Sequence, residues 1–440
     1  MAPNPTIMQA VEKLGYRVTT GDVATQAGLE VNLAQQGLLA LASEAGGHLQ
    51  VSESGEIVYL FPKNFRSILQ NKYFRLRLQE WWQKVWRVLF YLIRISFGIV
   101  LILSIILIVV TIIVIITATN SSRDSDDRHD SGGGGGAIYM PHFWFGPDFF
   151  WIFYPDYYDR RYEQRYSQFN QEPQMNFLEA VFSFIFGDGN PNFNLEERRW
   201  QTIAAVIRNN KGAVTAEQIA PYLDSTGQGF AQEYEEYMLP VLARFDGRPE
   251  VSPEGDIVYH FPELQTTAAG QRSKSVPAYL EEKPWRFSEA GSGQLMLAAG
   301  LGAVNLIGAL VLGAMLRDGI VAAKLGGLVA FTQSIYGLLL GYGVGFLGIP
   351  LIRYFWVQWR NRQIEARNKE RRIRSLQLNR ADENEPLQRK LKYARQFANE
   401  TVIRQEDLAY TTETDLLEQE VNQSARLDAE WDRRLNEPHS

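Results

Sequence analysis

The chain has no cysteine among its 440 residues. That excludes disulfides, thiolate zinc sites, cysteine nucleophiles and cysteine-held iron–sulfur clusters together. Histidine is scarce as well: His48, His129, His142, His260 and His439 are scattered, never at i, i+4 spacing, so a histidine metal site is not expected. Carboxylates are plentiful, yet none stands with a histidine in a recognisable catalytic motif. The expectation is a chain with no catalytic residues, no metal and no cofactor. Gly343 to Gly348 has the spacing G-x-G-x-x-G, but it lies inside an apolar run with no strand before it and no acid after it, so a nucleotide site is not read there. The first thirty residues hold one arginine and several acids, unlike a plastid transit peptide.

Charge is missing from residues 95–117, ISFGIVLILSIILIVVTIIVIIT, over 23 positions. At 1.5 Å per residue such a helix matches the ~30 Å hydrocarbon core of a bilayer, so a transmembrane helix is expected there. Two further apolar runs, 293–316 and 325–352, are rich in glycine and alanine. The pairs Ala298/Gly302, Ala309/Gly313 and Gly341/Gly345 put small residues one turn apart, which allows close helix approach. Only Arg317, Asp318 and Lys324 interrupt these runs, and a tight transmembrane hairpin is the reading. Asn305, Gln333 and Lys324 are the polar positions in or between the spans.

Outside the apolar runs the chain repeats itself. VSESGEIVYLFP (51–62) returns as VSPEGDIVYHFP (251–262). Each copy ends a longer unit. The first runs from PTIMQAVEKLGYR through VTTGDVATQAGL and NLAQQGLLALASEAGG. The second runs from LEERRWQTIAAVIRNNKG through VTAEQIAPYL and FAQEYEEYMLPVLARFDG. Asn194 with Glu197 forms a capping-box pattern, Gly212 suits a left-handed turn, and Thr19/Thr20 and Thr215 suit N-caps. Helix, helix, helix, hairpin is the order of a winged helix, which makes residues 1–62 and 176–265 two winged-helix-like modules. DNA is not their expected partner. The first module carries six acidic against two basic residues, and the core of the second, 195–262, eleven against six. The third helical stretch carries no base in the first module and opens with Glu233, Glu235 and Glu236 in the second, so both would repel a duplex. They are read as protein-binding modules, with Tyr59, Tyr234, Tyr237 and Tyr259 as partner-binding candidates.

Basic flanks border the spans. Residues 63–94 hold eight Lys/Arg and one Glu, and read as an amphipathic helix; 353–380 hold nine Lys/Arg and two Glu. Trp81, Trp82, Trp86, Trp356 and Trp359 lie there as membrane-interface candidates. Positive charge favours the cytoplasmic side, so both flanks are expected on one side, which three spans cannot satisfy. Residues 118–137 are a polar, glycine-rich linker, and 138–175 carry thirteen aromatics between Tyr139 and Tyr166. Proline within that stretch argues against a regular helix, and a membrane-surface segment is the reading. Residues 266–292 read as a linker and 353–440 as a basic, then polar, tail.

The runs MNFLEAVFSFIFGDGNPN (175–192), LPVLARFDGRPEVSPEGDIVYHFPELQ (239–265), IPLIRYF (349–355) and EWDRRLN (430–436) resemble those of a family of multi-pass membrane proteins from cyanobacteria and plant chloroplasts. The resemblance covers the chain from about residue 40 onward and implies an integral protein of a cyanobacterial thylakoid or plasma membrane. Plant relatives sometimes carry an iron–sulfur cluster biosynthesis label; this chain has no cysteine to hold or pass on a cluster.

Together these features describe an α+β membrane protein with two winged-helix-like modules flanking a first transmembrane helix, followed by a transmembrane hairpin. The expected role is that of a non-catalytic scaffold or assembly factor, its partners the bilayer and a membrane protein complex. One alternative is a transporter or channel component acting as a homo-oligomer; the other, implied by the family label alone and disfavoured by the lack of cysteine, is a role in iron–sulfur cluster biogenesis.

Overall fold

The computed structural model of the protein describes residues 4–72, 74–123, 175–268, 274–317, 319–380, 384–415 and 417–421, with the single positions 270, 424 and 431. The aromatic stretch 138–174, most of the linker before it, and the EWDRRLN end apart from Trp431 lie outside the described residues.

The first repeat comprises α1 (Pro5–Lys13), β1 (Arg17–Thr19), α2 (Thr20–Ala27), α3 (Val31–Ala45), β2 (His48–Ser52) and β3 (Ile57–Leu60). Then come α4 (Phe65–Lys72), the 50-residue α5 (Phe74–Arg123) and α6 (Phe177–Phe186). The second repeat follows as α7 (Leu195–Asn209), β4 (Ala213–Val214), α8 (Ala216–Ile219), α9 (Phe230–Glu233), α10 (Leu239–Phe245), β5 (Arg248–Val251) and β6 (Ile257–His260), with β7 (Thr266–Thr267) behind it. The rest is α11 (Ser292–Leu316), α12 (Ile320–Leu325), α13 (Gly327–Ser334), α14 (Tyr336–Asn379), α15 (Glu385–Ala394), β8 (Thr401–Val402) and β9 (Leu408–Thr411). Helices α5, α11 and α14 are long and apolar enough to cross a membrane, so the described residues form a mostly helical α+β structure with three such helices.

The repeats share their turns and their hairpin register. Thr19 caps α2 in a capping box with Asp22, whereas at the start of α8 only the return half is made, Thr215 N–H donating to Gln218 Oε1 at 3.0 Å. The turn before β1 takes Gly15 and Tyr16 to φ of 84° and 71°; its counterpart takes Lys211 and Gly212 to 55° and 78°. Phe61 N–H then donates to Tyr16 O at 2.8 Å, and Phe261 N–H to Gly212 O at 2.7 Å. Residues Val18 and Val214 register with Tyr59 and Tyr259. Asn194 stands at the N-cap of α7, but its side chain makes no capping bond.

One expected helix breaks. The first repeat has a regular 15-residue α3. In the second, residues 230–245 form α9, a 3-10 turn at Glu236–Met238 and α10. Pro240, at the start of α10, has no N–H to bond back to the preceding turn, so one continuous helix cannot run through it unbroken. Glu235 sits in left-handed backbone at φ 52° between the pieces.

Residues Met1–Trp82, Asn192–Lys283 and Gln363–Ser440 form one compact unit, and both repeats contribute to its main core. The lock between them is Asp22, 2% exposed. Its carboxylate accepts from Arg208 Nη2 (2.5 Å), Thr267 Oγ1 (2.9 Å), Ala268 N–H (3.0 Å) and Thr19 N–H (3.0 Å). Arg244 donates to Gly28 O at the end of α2, while its guanidinium lies 4.5 Å from the centre of Trp200. The end of α14 joins this unit through Arg371, fully buried, which pairs with Asp224 and with Glu282 at 2.9 Å. Arg199 and Arg367 complete that network, on Asp224 and Glu282 respectively.

Residues Gln83–Pro191 and Pro284–Arg362 form the second unit. On α5 the buried positions Leu101, Ser104, Ile108, Thr111 and Ile115 alternate by three and four, the seam of a helix packed along its length. Ser104 Oγ meets Asn305 Oδ1 at 2.7 Å, and Thr111 Oγ1 meets Thr332 Oγ1 at 3.0 Å. Gly302 admits the ring of Phe346, as a Cβ there would come 2.5 Å from it. The contact glycine of α14 is Gly343, against Leu306 and Asn305, and not the expected pair: Gly341 has nothing within 4 Å of where a Cβ would lie, and Gly345 only Ile349 of its own helix. The turn between spans is not tight either. Gly319, Gly326 and Gly327, at φ of 66°, 57° and 48°, fold residues 319–334 into α12 and α13, so the third long helix starts at Tyr336 rather than 325.

A polar knot marks one end of this bundle. Asp188 accepts from Arg94 at 2.6 Å, from Ser183 Oγ and from Glu289 N–H at 2.8 Å. Arg353 donates to Ser183 O at 3.1 Å and lies over the Phe287 ring. Gln294 donates to Met175 O at 2.6 Å. Arg94 of α5, the start of α11, the middle of α14 and α6 thus meet at one end.

Candidate functional site

The break in the second repeat's third helix builds the most unusual polar cluster of the first unit. Glu235 is 8% exposed, and non-glycine residues reach left-handed backbone only where their surroundings impose it. Its surroundings are Tyr259, whose hydroxyl donates to Oε2 at 2.8 Å, and Lys390 of α15, whose Nζ donates to Oε1 at 2.7 Å. The same Nζ reaches Glu217 Oε1 at 2.9 Å. Glu217 Oε2 is buried and has no protein partner. A cleft of about 920 Å³ opens beside this cluster, lined by Glu217, Tyr237, Lys390, Arg374, Arg380 and Glu385 among others.

The electrostatics move Tyr259, Tyr237 and Lys390 further from neutral pH. Burial pushes the Tyr259 phenol far above its usual range, and the charge of Glu235 adds to that. Burial raises Tyr237 too, helped by Glu235 and Glu217. For Lys390, burial alone would lower the ammonium, but Glu217 and Glu235 outweigh it and hold it above its usual range. A neutral phenol, a fixed ammonium and paired carboxylates make a good clamp and a poor acid–base relay. Among the described residues no group of histidines and carboxylates is arranged to hold a metal.

The four tyrosines read as partner contacts separate here. Tyr59 and Tyr259 are 2% and 3% exposed, their rings in the core, so neither offers a surface to a partner. Val and Tyr of each hairpin point to opposite faces of the sheet, and both are buried because both faces are covered. Tyr237 is half-buried against that core. Tyr234 is exposed and stacks on Phe230 with ring centres 4.8 Å apart. Leu239 is exposed near them in sequence, as are the acids Glu233 and Glu236.

Of the polar positions in the spans, Asn305 is buried against Ser104, whereas Gln333 and Lys324 are exposed on α13 and α12. Trp81, Trp82, Trp86 and Trp359 are exposed on α5 and α14, and Trp356 meets Trp285 edge-on at 5.1 Å. Sequence reasoning passed over Asp22, Arg208, Glu235 and Lys390, whose partners lie far along the chain. It also passed over Ser104 and Thr111, for which a signal exists: two hydroxyls seven residues apart in an otherwise aliphatic run.

Comparison with known proteins places this arrangement in context. Over 445 aligned residues the chain is 40% identical to an uncharacterized chloroplastic protein of Arabidopsis thaliana, covering 98% of this chain and 82% of the relative. No family model matches the chain. No solved structure matches it either. Identity at that level over nearly the whole chain means that this protein belongs to the family of that chloroplastic protein.

Proposed function

We propose that the protein is a non-catalytic membrane scaffold or assembly factor, of photosynthetic or plastid-type membranes, whose two winged-helix-like modules act as one partner-binding body on one membrane face. The observation that carries this reading is the shared core of the two repeats, pinned by Asp22 and Arg208. A body folded around one core lies on one side of a bilayer. The second unit supports the same reading on its own. Arg94 and Arg353, one from each basic flank, bind the same short segment Ser183–Asp188, so both flanks come to one end of the bundle, as positive charge requires. Met175, Gln294 and Arg94 are gathered at that end too, whereas Arg123 lies 29 residues further along α5, about 44 Å at 1.5 Å per residue. On this reading Arg94 and Met175 lie at the same membrane face, and both basic flanks can occupy one side.

The polar side chains of the spans pair across helices, Ser104 with Asn305 and Thr111 with Thr332, which is the role of interhelical glue and not of an open path. For partner contact the exposed Phe230–Tyr234 stack with its acidic neighbours is the surface to test, and it suits a partner with apolar and basic side chains. Purification of the tagged protein from native membranes is expected to bring a membrane complex with it. Changing Phe230 and Tyr234 together to Ala is expected to release that complex while leaving the protein's thermal stability intact. Unchanged co-purification would remove this surface from the account.

A further inference from the structure

The two hairpins differ at their outer edges in a way that points to a strand-binding site. In β2 the even residues bond to β3, as Ser52 N–H does to its continuation at Glu56, so the odd residues Leu49, Val51 and Glu53 present their backbone outward. Those groups are taken by the chain's own tail. Leu49 N–H donates to Thr412 Oγ1 at 2.9 Å, Thr412 N–H to Leu49 O at 2.9 Å, and Glu53 N–H to Asp407 O at 3.0 Å, while Val51 registers with Tyr410. In β5 the equivalents of Leu49 and Glu53, two hundred positions on, are Pro249 and Pro253, which have no N–H. The outward carbonyl of Val251, the equivalent of Val51, is taken by the Tyr393 hydroxyl at 3.1 Å. One hairpin is therefore closed to added strands by its covalent chemistry, in the manner of protected sheet edges. The other keeps its donors and fills them from residues more than 350 positions away.

The filling is shallow. Strand β9 has four residues, its register slips between Val51 and Ser52, and Ala409 and Tyr410 are exposed. Its apolar anchorage is Leu408, partly buried against Val58, Ala268 and Ile403. Short, bulged, half-exposed strands open locally at low cost. We propose that the outer edge of β2 is an acceptor for an extended peptide of a partner protein, and that Leu408–Thr412 is its tethered occupant, displaced when the partner strand adds to the sheet. Backbone hydrogen bonds would supply the affinity, as in other additions of a strand to an open edge. This deepens the partner-binding reading above by naming a second surface for it.

The test uses the full-length protein in detergent and a fluorescent peptide of residues 405–414. Wild-type protein, with its own strand in place, is expected to bind the peptide weakly. Tyr410→Pro with Thr412→Pro removes the tethered strand and is expected to bind it at least about tenfold more tightly, since the competent state is no longer a minor one. Adding Leu49→Pro, which copies Pro249, is expected to abolish that gain. A folded double-proline variant that takes up no peptide, or one whose binding survives Leu49→Pro, would overturn the proposal. Hydrogen exchange on wild-type protein provides a check that needs no variant. The Leu49 and Glu53 amides should exchange by local opening, at least tenfold faster than the Val58 amide at the sheet centre. Equal protection of all three would also overturn it. Neither readout depends on whether the Phe230–Tyr234 surface retains a complex, so the two readings fail separately.

Discussion

The first and second repeats carry the same turns, a threonine at the start of the second helix and the same hairpin register, yet each is finished differently. In the first, the third helix is regular and the hairpin edge is covered by the tail strand. In the second, the third helix is broken at Glu235, the hairpin edge is closed by prolines, and the side faces α15 and the ionic network around Arg371. Duplication supplied one backbone; what differs is which outward groups each copy leaves for the rest of the chain to satisfy. The first copy is the acceptor of a strand, the second the platform for charged helices.

The largest separation between the copies should come where their second helices begin. Asp22 and Gln218 occupy the same position, but only Asp22 also binds Arg208, Thr267 and Ala268. Asp22→Ala strands a guanidinium that is mostly buried and is expected to cost about 3–5 kcal/mol. Gln218→Ala loses a cap and should cost about 1 kcal/mol. Thermal unfolding in detergent compares the two, and equal losses would mean that the inter-repeat lock contributes little.

Next in size are the glycines that follow the third helices. A Cβ on Gly247 would lie 2.4 Å from the Phe261 ring, against 3.0 Å between Gly47 and Phe61. Gly247→Ala is expected to cost about 2–3 kcal/mol and Gly47→Ala about 1, from overpacking of the same slot at two tightnesses. A reversed order would show that the rings relax differently from their static spacing. Smaller again is the pair of buried tyrosines. Tyr259→Phe removes a hydrogen bond to charged Glu235, about 1.5 kcal/mol, and Tyr59→Phe is expected to cost less than half of that.

Acid should act on one copy first. Burial would raise the Asp224 and Glu282 carboxyls, but their arginine partners outweigh it and hold both below the usual carboxylate range. Both ionise more readily in the folded state, so their contribution is complete above about pH 5 and fades as the pH falls through their folded values. Amides of α7, beside Arg199 and Asp224, should lose hydrogen-exchange protection below about pH 4 before those of α1 do. Simultaneous loss would show that the two copies respond as one.

What could be read in the sequence follows the range of the physics involved. The hairpins were legible because VSESGEIVYLFP and VSPEGDIVYHFP alternate around a glycine turn, and the capped helices because Thr19 and Thr215 act on neighbours three residues away. The apolar spans were legible from charge alone. The Asp22–Arg208 lock spans 186 residues and the Leu49–Thr412 bonds 363, and no local pattern marks either. The broken third helix had a local mark in Pro240, outweighed by the amphipathic look of FAQEYEEYM. The small-residue faces were found, but on α14 the phase was off by two, since glycine spacing says which faces allow contact and packing of Phe346 and Tyr342 decides which one is used.

One labelling experiment bears on the central claim most directly. The chain is free of cysteine, so single cysteines at Ser54, Glu254, Thr414 and Arg317 can be probed with an impermeant maleimide in sealed, oriented vesicles. The account predicts that positions 54, 254 and 414, in the first repeat, the second repeat and the tail, all react from one side, and that 317, beyond the end of α11, reacts only from the other. Labelling of 54 and 254 from opposite sides would contradict it: the two repeats would then face different compartments, and the core they share could not exist in the membrane-bound protein.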